Sequence, residues 1–466
     1  MSTAAPPIAA LHRAVLDDRG PREGLVAFTV EAPIREPLRL VAAATDTGSS
    51  VGRDVPTVFW DDGEGPTWVG LRTAYCRRVT AEHDARQRKA ELAARIGQLR
   101  VTHLGEPLPW PVRAFGGLSF ESSAKTFSSD WAAFGAGYFT IPRWNYVRSG
   151  DRAWLMVVLD GTGGPLAEQA ESVLREGHIW FDALHAPWQA ARPAQLSMVR
   201  AGRSSWNESV QTIRDGVRQG TVQKAVLTRD TVVRAKQRLD PSSLLWRLTP
   251  EPTGSVRFAF SPEGRQGPTF AGLTPERLVR LQDHALITEA LAGTSRDEAH
   301  QKGAEALLTS AKDREEHMHV VQFIMDRLGP LCVELEHGTT NLHKLRHVTH
   351  LKTPITGRLS ASMHVLDVVR ALHPTPAIGG VPLAAARAMI ERLEGRSRGW
   401  YTGPVGWFDG AGNGDFWVAL RSGLVIGERA RVFVGAGIVR ESDPDVEWEE
   451  TLLKERTILS GLGAPT

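Results

Sequence analysis

Two stretches of this 466-residue chain set acidic side chains at helical spacing. In KDREEHMHVV, Asp313 and Glu316 stand at i and i+3. In DPDVEWEETLLK, Glu447 and Glu450 repeat the spacing, and Lys454 follows one turn on. Side chains three or four apart share a helix face. Two such stripes facing each other would offer four carboxylates to a hard cation. Mg²⁺ suits that donor set, because it keeps several waters and takes one or two carboxylates plus substrate oxygens. A single acidic i,i+3 pair is usually only a solvated helix face. Here His317, Val320, Val321 and Ile324 follow the first pair, which points that face toward an apolar interior.

Lys224, in QKAVLTR, opens an apolar strand-like run. A lysine there is either an exposed strand end or, if buried beside other cations, a base whose pKa has fallen. The glycine-rich pieces GPVGW (Gly403–Trp407) and VGAGIV (Val434–Val439) read as turns whose N–H groups can hold an anion, a weak signal by itself. No phosphate loop and no G-x-G-x-x-G after a strand is present, so nucleotide binding is unsupported. The fifteen histidines form no H-E-x-x-H.

The elements that must position these groups alternate irregularly. Strand-like runs occupy Leu25–Val30, Thr57–Trp60, Ala153–Leu159, Lys224–Thr228, Ser255–Ala259, Arg277–Leu281, Phe416–Leu420 and Arg431–Val434. Helical patterns cover Thr80–Ile96, Pro165–Leu184, Ser205–Gln219, Ala299–Leu328 and Pro444–Leu459. Ser205 is the expected cap of the third. Asp443 is that of the last, with Pro444 at its first position. Several strands follow one another without helices between, which predicts an α+β fold with largely antiparallel sheets. The proline-rich stretch APWQAARPAQ (Ala186–Gln195) divides an N-terminal sub-structure, residues 1–195, from a motif-rich part, residues 196–466.

Bulk properties narrow the partners. A net charge of +2 gives no electrostatic case for nucleic acid or an anionic membrane. No apolar run reaches the about 18 residues of a membrane span, and the N-terminus lacks the pattern of a signal peptide. Two cysteines, Cys76 and Cys332, without metal spacing fit a reducing cytoplasm.

Read together, these segments resemble the chorismate-utilising enzymes. The motifs carrying the resemblance run in family order: KAVLTR (Lys224–Arg229), FAGLTPERL (Phe270–Leu278), TEALAGT (Thr288–Thr294), SAKDREEH (Ser310–His317), THLKTPITG (Thr349–Gly357), LHPTPAIGG (Leu372–Gly380), GWYTGPVGWFD (Gly399–Asp409), VALRSGL (Val418–Leu424) and GAGIVRESDPDVEWEETLLK (Gly435–Lys454). FGGLSF (Phe115–Phe120) and WAAFGAGYFTIPRW (Trp131–Trp144) look like the family's N-terminal half. The resemblance implies the fold of anthranilate synthase component I, a single unit over residues 1–466 with two large facing antiparallel sheets and outer helices. The proline-rich stretch would then be a loop.

The resemblance also sorts branches and assigns roles. A lysine at 224 and Ala292 in ALAGT, where aminodeoxychorismate synthases carry a lysine, imply water as nucleophile and an isochorismate synthase, an isomerase. Salicylate synthase, which goes on to eliminate pyruvate, is the alternative. Lys224 is implied as base and Glu276 as acid. Gly293, Thr294, His350, Tyr401, Arg421, Gly437 and Lys454 are implied around chorismate or isochorismate. Mg²⁺ is expected on Glu316 and Glu450, with Asp313 and Glu447 acting directly or through water. No glutaminase subunit is expected, and the chain would be a monomer or homodimer. YTGPVGWFDGAGNGDFWVALRS (Tyr401–Ser422) and WDDGEGPTWVGL (Trp60–Leu71) look most like the menaquinone-type enzymes, with a siderophore pathway as the other possibility.

Overall fold

The computed structural model describes residues 6–18, 20, 24–45, 55–79, 82–121, 128–192, 195–248, 254–296, 307–344 and 348–464. Its strands join in two hydrogen-bonded ladders that share one strand, Gly137–Ser149. The first ladder runs Arg100–Leu104, Leu25–Glu31, Arg152–Asp160, Gly137–Ser149, Thr67–Val79, Thr57–Asp61, Val256–Ser261, Thr269–Thr274, Ser422–Ile426, Arg429–Ile438, Lys224–Ala235 and Leu196–Arg200. The second leaves Gly137–Ser149 through Ala114–Leu118, Pro404–Phe408, Gly414–Val418, Arg277–Gln282 and Ala285–Arg296 to Val348–Leu359. Among the described strands only the outermost pair of the first ladder is parallel. The expected α+β architecture with large antiparallel sheets is therefore what the chain adopts.

An aromatic core lies between the ladders. Phe270 and Phe433 of the first approach Trp131, and Phe260 approaches Trp400. On the other side Phe139 of the shared strand meets Phe408 and Phe416 of the second ladder. Ring centroids 5 to 6.5 Å apart, mostly edge to face, are the geometry aromatic quadrupoles favour. Helices Pro6–Asp17, Leu38–Thr45 and Leu166–His185 cover the outer face of the first ladder with a separate apolar cluster. Strands from both sides of Ala186–Gln195 pair directly: Thr57–Asp61 with Val256–Ser261, and Ala114–Leu118 with Pro404–Phe408.

Several boundaries differ from the pattern reading. The helix expected from Ser205 begins at Arg203 with Gly202 as cap, and the Ser205 hydroxyl donates back to the Gly202 carbonyl. Bonding to its own turn occupies the group that would have capped. The run expected over Phe416–Leu420 ends as a strand at Val418, because residues 419–421 turn to place Arg421. The helix expected from Ala299 is described over Ala311–Leu328, and residues 299–306 lie outside the described part. Gly403–Trp407 and Val434–Val439 are not turns. Both fall on strands, Pro404–Phe408 and Arg429–Ile438. The Asp443 cap holds, with its carboxylate accepting from the Asp445 and Val446 amides and Pro444 at the first turn.

The C-terminal helix Pro444–Leu462 is fastened to the Lys224 strand by charge. Arg229 and Glu455 are both almost fully buried, 3.0 Å apart. The same carboxylate accepts from Thr231 at 2.7 Å and from Arg200 at 2.7 Å, and Arg229 also donates to Thr451 and lies over Trp448. Such a pair stabilises little against an apolar replacement, but breaking it leaves an uncompensated charge. Glu455→Leu should therefore lower stability by about 3–5 kcal/mol, seen as a fall in the urea midpoint. Arg229→Met/Glu455→Leu should recover most of that loss. Equal destabilisation of the double variant would show that the pair acts by packing alone.

Candidate active site

A cavity of about 290 Å³ opens among the ends of several strands and the start of the C-terminal helix, and Lys224, Glu276, Gly293, His350, Tyr401, Arg421, Gly437, Glu447, Glu450 and Lys454 all line it. That is the small end of ligand pockets, suited to a single-ring compound.

Lys224 begins its strand and pairs with Val381, while Ala225 pairs with Ile438. Its side chain is buried and crosses the neighbouring strand at Gly437. A Cβ added at Gly437 would lie 2.6 Å from the Lys224 Cε and 3.1 Å from its Nζ. A side chain here would push the lysine amine aside, and glycine leaves the stem its room.

Glu276 sits in the turn ahead of strand Arg277–Gln282. Its carbonyl accepts from Val418, and its own amide donates to Thr274. Burial pushes its carboxyl up to about 7, reinforced by the Glu289 carboxylate, against Lys224, Arg421 and Lys454, which pull it down.

Arg421 and Thr402 hold left-handed backbone, with φ of 44° and 62°. Non-glycine residues adopt this region only where surroundings fix them. The Arg421 carbonyl accepts from Leu273, and the Thr402 amide donates to Ala419. Between them Tyr401 stacks on Phe433 at 5.3 Å, and burial pushes its phenol up to about 12. It stays protonated and able to donate to an anion.

Gly293, with φ of 71°, makes a bulge in strand Ala285–Arg296 where the register slips between Ala292 and Thr294. Its carbonyl accepts from His350 Nδ1 at 2.9 Å. A carbonyl can only accept, so Nδ1 carries the proton. Burial, with Arg421 nearby, pushes His350 down to about 3, and the ring is neutral. Thr294 pairs with His350 in the ladder; its side chain lies outside the described residues.

Glu447 and Glu450 come from the first turns of the C-terminal helix. Burial disfavours charge on Glu450, but Lys454 Nζ at 2.6 Å more than offsets it and holds the carboxyl below its ordinary value. Lys454 also donates to the Gly435 carbonyl at 3.1 Å. Asp313 and Glu316 fall on the described helix Ala311–Leu328, but their side chains are outside the described residues. Among the described residues no three metal-ligating side chains gather.

Three supports escaped the sequence reading. Arg398 is fully buried, donates to the carbonyls of Val226 and Ile378, and pairs with Glu394 at 2.6 Å. Glu394 also accepts from the Thr228 amide. His373 Nε2 donates to the Thr402 carbonyl at 3.0 Å. Glu289 pairs with Lys352 at 2.5 Å beside Glu276. Glu289, Lys352 and His373 stand inside motifs quoted above, but only strand register and loop closure reveal their partners.

The pattern of the chorismate binding enzyme family matches residues 10–463. The chain is 34% identical to the salicylate biosynthesis isochorismate synthase of Pseudomonas aeruginosa, covering 95% of this chain and 91% of that protein. It is 34% identical to the isochorismate synthase MenF of Bacillus subtilis, covering 87% of each. The structure of MenF, the menaquinone-specific isochorismate synthase from Escherichia coli, superposes with a TM-score of 0.79 at 24% identity, covering 98% of this chain and 99% of that one. Anthranilate synthase component I from Streptococcus pneumoniae shares the fold with a TM-score of 0.66 at 19% identity, over 85% of this chain and 93% of that one. The chain belongs to the chorismate binding enzyme family.

Proposed function

We propose that this protein is an isochorismate synthase, which adds water at C2 of chorismate while the 4-hydroxyl departs and the ring double bonds shift. The observation that carries this reading is one small cavity holding the Lys224 amine, a Glu276 carboxyl whose proton is retained to about pH 7, and the charged groups Arg421 and Lys454. Water is a poor nucleophile and hydroxide a poor leaving group, so the step needs a base and an acid. The Lys224 Nζ takes a proton from water, and Glu276 gives one to the departing hydroxyl, so one water is consumed and one released. Arg421 and the protonated Tyr401 phenol hold the enolpyruvyl carboxylate. Neutral His350, fixed by the Gly293 carbonyl, presents its ring beside the substrate.

Lys224→Ala should lower kcat by the roughly hundredfold or more typical of a lost general base, while chorismate still protects the variant against thermal unfolding. Activity within a few-fold of wild type would remove Lys224 from the base role.

The same site suits Mg²⁺. Glu447 and Glu450, one turn apart and opening on the cavity, supply part of the all-oxygen donor set a hard cation takes. Asp313 and Glu316 are the expected remainder. Bound there, the ion would neutralise and orient the ring carboxylate. EDTA should stop turnover and Mg²⁺ restore it, and Glu450→Gln should weaken Mg²⁺-dependent binding of chorismate in calorimetry. Full activity after exhaustive metal removal would make these acidic faces structural.

The pathway we favour is menaquinone biosynthesis, from the likeness to MenF proteins and the Tyr401–Ser422 segment. The Pseudomonas relative, named for salicylate biosynthesis, favours a second reading in which the product feeds salicylate. With chorismate and Mg²⁺ the purified enzyme should give a mixture of chorismate and isochorismate, reached from either side, with pyruvate at background in a lactate dehydrogenase assay. Stoichiometric pyruvate and salicylate would instead establish a salicylate synthase.

A further inference from the structure

We propose that Glu289, clamped by Lys352, is the positioning residue that keeps Glu276 in its proton-bearing form, so that the acid is loaded before substrate arrives. This deepens the reading of Glu276 as general acid and rests on it.

Glu289 lies on strand Ala285–Arg296, which pairs antiparallel with strand Arg277–Gln282 immediately after Glu276. One of its carboxylate oxygens accepts from the Arg277 amide at 3.2 Å, the peptide group that joins Arg277 to Glu276. The other oxygen meets Lys352 Nζ at 2.5 Å. A buried carboxylate is costly without a counter-charge, and Lys352 supplies it. The Glu289 side chain is 8% exposed and that of Lys352 is 28% exposed. The cation is thus the more hydrated member, and the carboxylate is the one bonded to the peptide group beside Glu276.

The surrounding charges give this arrangement its purpose. Lys224 from its strand, Arg421 from the turn after Gly414–Val418 and Lys454 from the C-terminal helix all face Glu276, and each favours loss of its proton. Arg421 and Lys454 serve an anionic substrate and Lys224 serves the proton transfer, so none of the three can be dispensed with. Glu289 is the carboxylate that acts against them, alongside burial. The Arg277 guanidinium makes its close ion pairs with Asp415 and Glu64, each at 3.2 Å, although Glu289 also acts on it electrostatically. A purely structural Glu289 would only tie down the Arg277 amide, and a glutamine oxygen could do that equally well.

The test is an infrared titration of substrate-free protein, following the protonated-carboxyl band that Glu276→Gln removes. Its midpoint should fall by about half a pH unit or more in Glu289→Gln, which keeps the hydrogen-bonding oxygen but not the charge. It should stay near wild type in Glu289→Asp and rise in Lys352→Gln, which strips the counter-charge. One limb of the pH profile of kcat/KM should move in the same directions. An unmoved midpoint in Glu289→Gln would reduce Glu289 to a hydrogen-bond acceptor and overturn the proposal. Should that variant fail to fold, Lys352→Gln decides alone, since an unmoved or lowered midpoint there is equally fatal. Near wild-type turnover by Glu276→Gln would instead sink the general-acid reading, and the infrared midpoints would still report on Glu289.

Discussion

The site depends on one strand, Lys224–Ala235, being held in a single register by charge buried on both of its sides. Arg398 reaches it from one side, donating to the Val226 carbonyl while its partner Glu394 takes the Thr228 amide. Arg229, within the strand, reaches out to Glu455 on the C-terminal helix. A slip of one residue would send every side chain of a strand to its opposite face. It would also part the buried Arg229 guanidinium from Glu455 and take the Val226 carbonyl and Thr228 amide away from Arg398 and Glu394. That penalty fixes Lys224 over Gly437 and, through the helix, fixes Glu447, Glu450 and Lys454 over the same cavity.

Around this anchor the chain accepts local strain where it needs an outline no regular element provides. Thr402 and Arg421 take left-handed backbone, and Gly293 opens a bulge. Each is tied by a main-chain or side-chain hydrogen bond to a neighbouring segment: Ala419 and His373 for Thr402, Leu273 for Arg421, His350 for Gly293. The groups that would meet substrate are therefore set before it arrives, and little ordering entropy is left for binding to supply.

How much of this the sequence disclosed depended on the range of the signal. The Asp443–Pro444 start, the acidic spacing at Glu447 and Glu450, and the succession of strands without helices are local, and each could be read directly. The pairing of Glu276 with Glu289, or of Arg398 with Glu394 and Val226, depends on register and loop closure, which no window of residues contains. The glycines at 403–407 and 434–439 suggest turns, because glycine is common in turns. In the structure they let a neighbour approach closely, as Lys224 does at Gly437. Arg421, likewise, could be assigned only through its motif, since its position depends on a backbone conformation that sequence pattern does not encode.

The shared strand Gly137–Ser149 and the ladders that cross Ala186–Gln195 have a consequence for how the molecule can be taken apart. A cut in the proline-rich stretch would sever the chain without separating two bodies. The first fragment would carry the raw edges of Thr57–Asp61 and Ala114–Leu118. The second would carry those of Val256–Ser261 and Pro404–Phe408. Each open edge is a template for the other, and apart each invites adventitious strand pairing. Nicked protein should accordingly behave as a complementing pair: the second fragment carries every residue that lines the cavity, and the first completes the sheets that hold them.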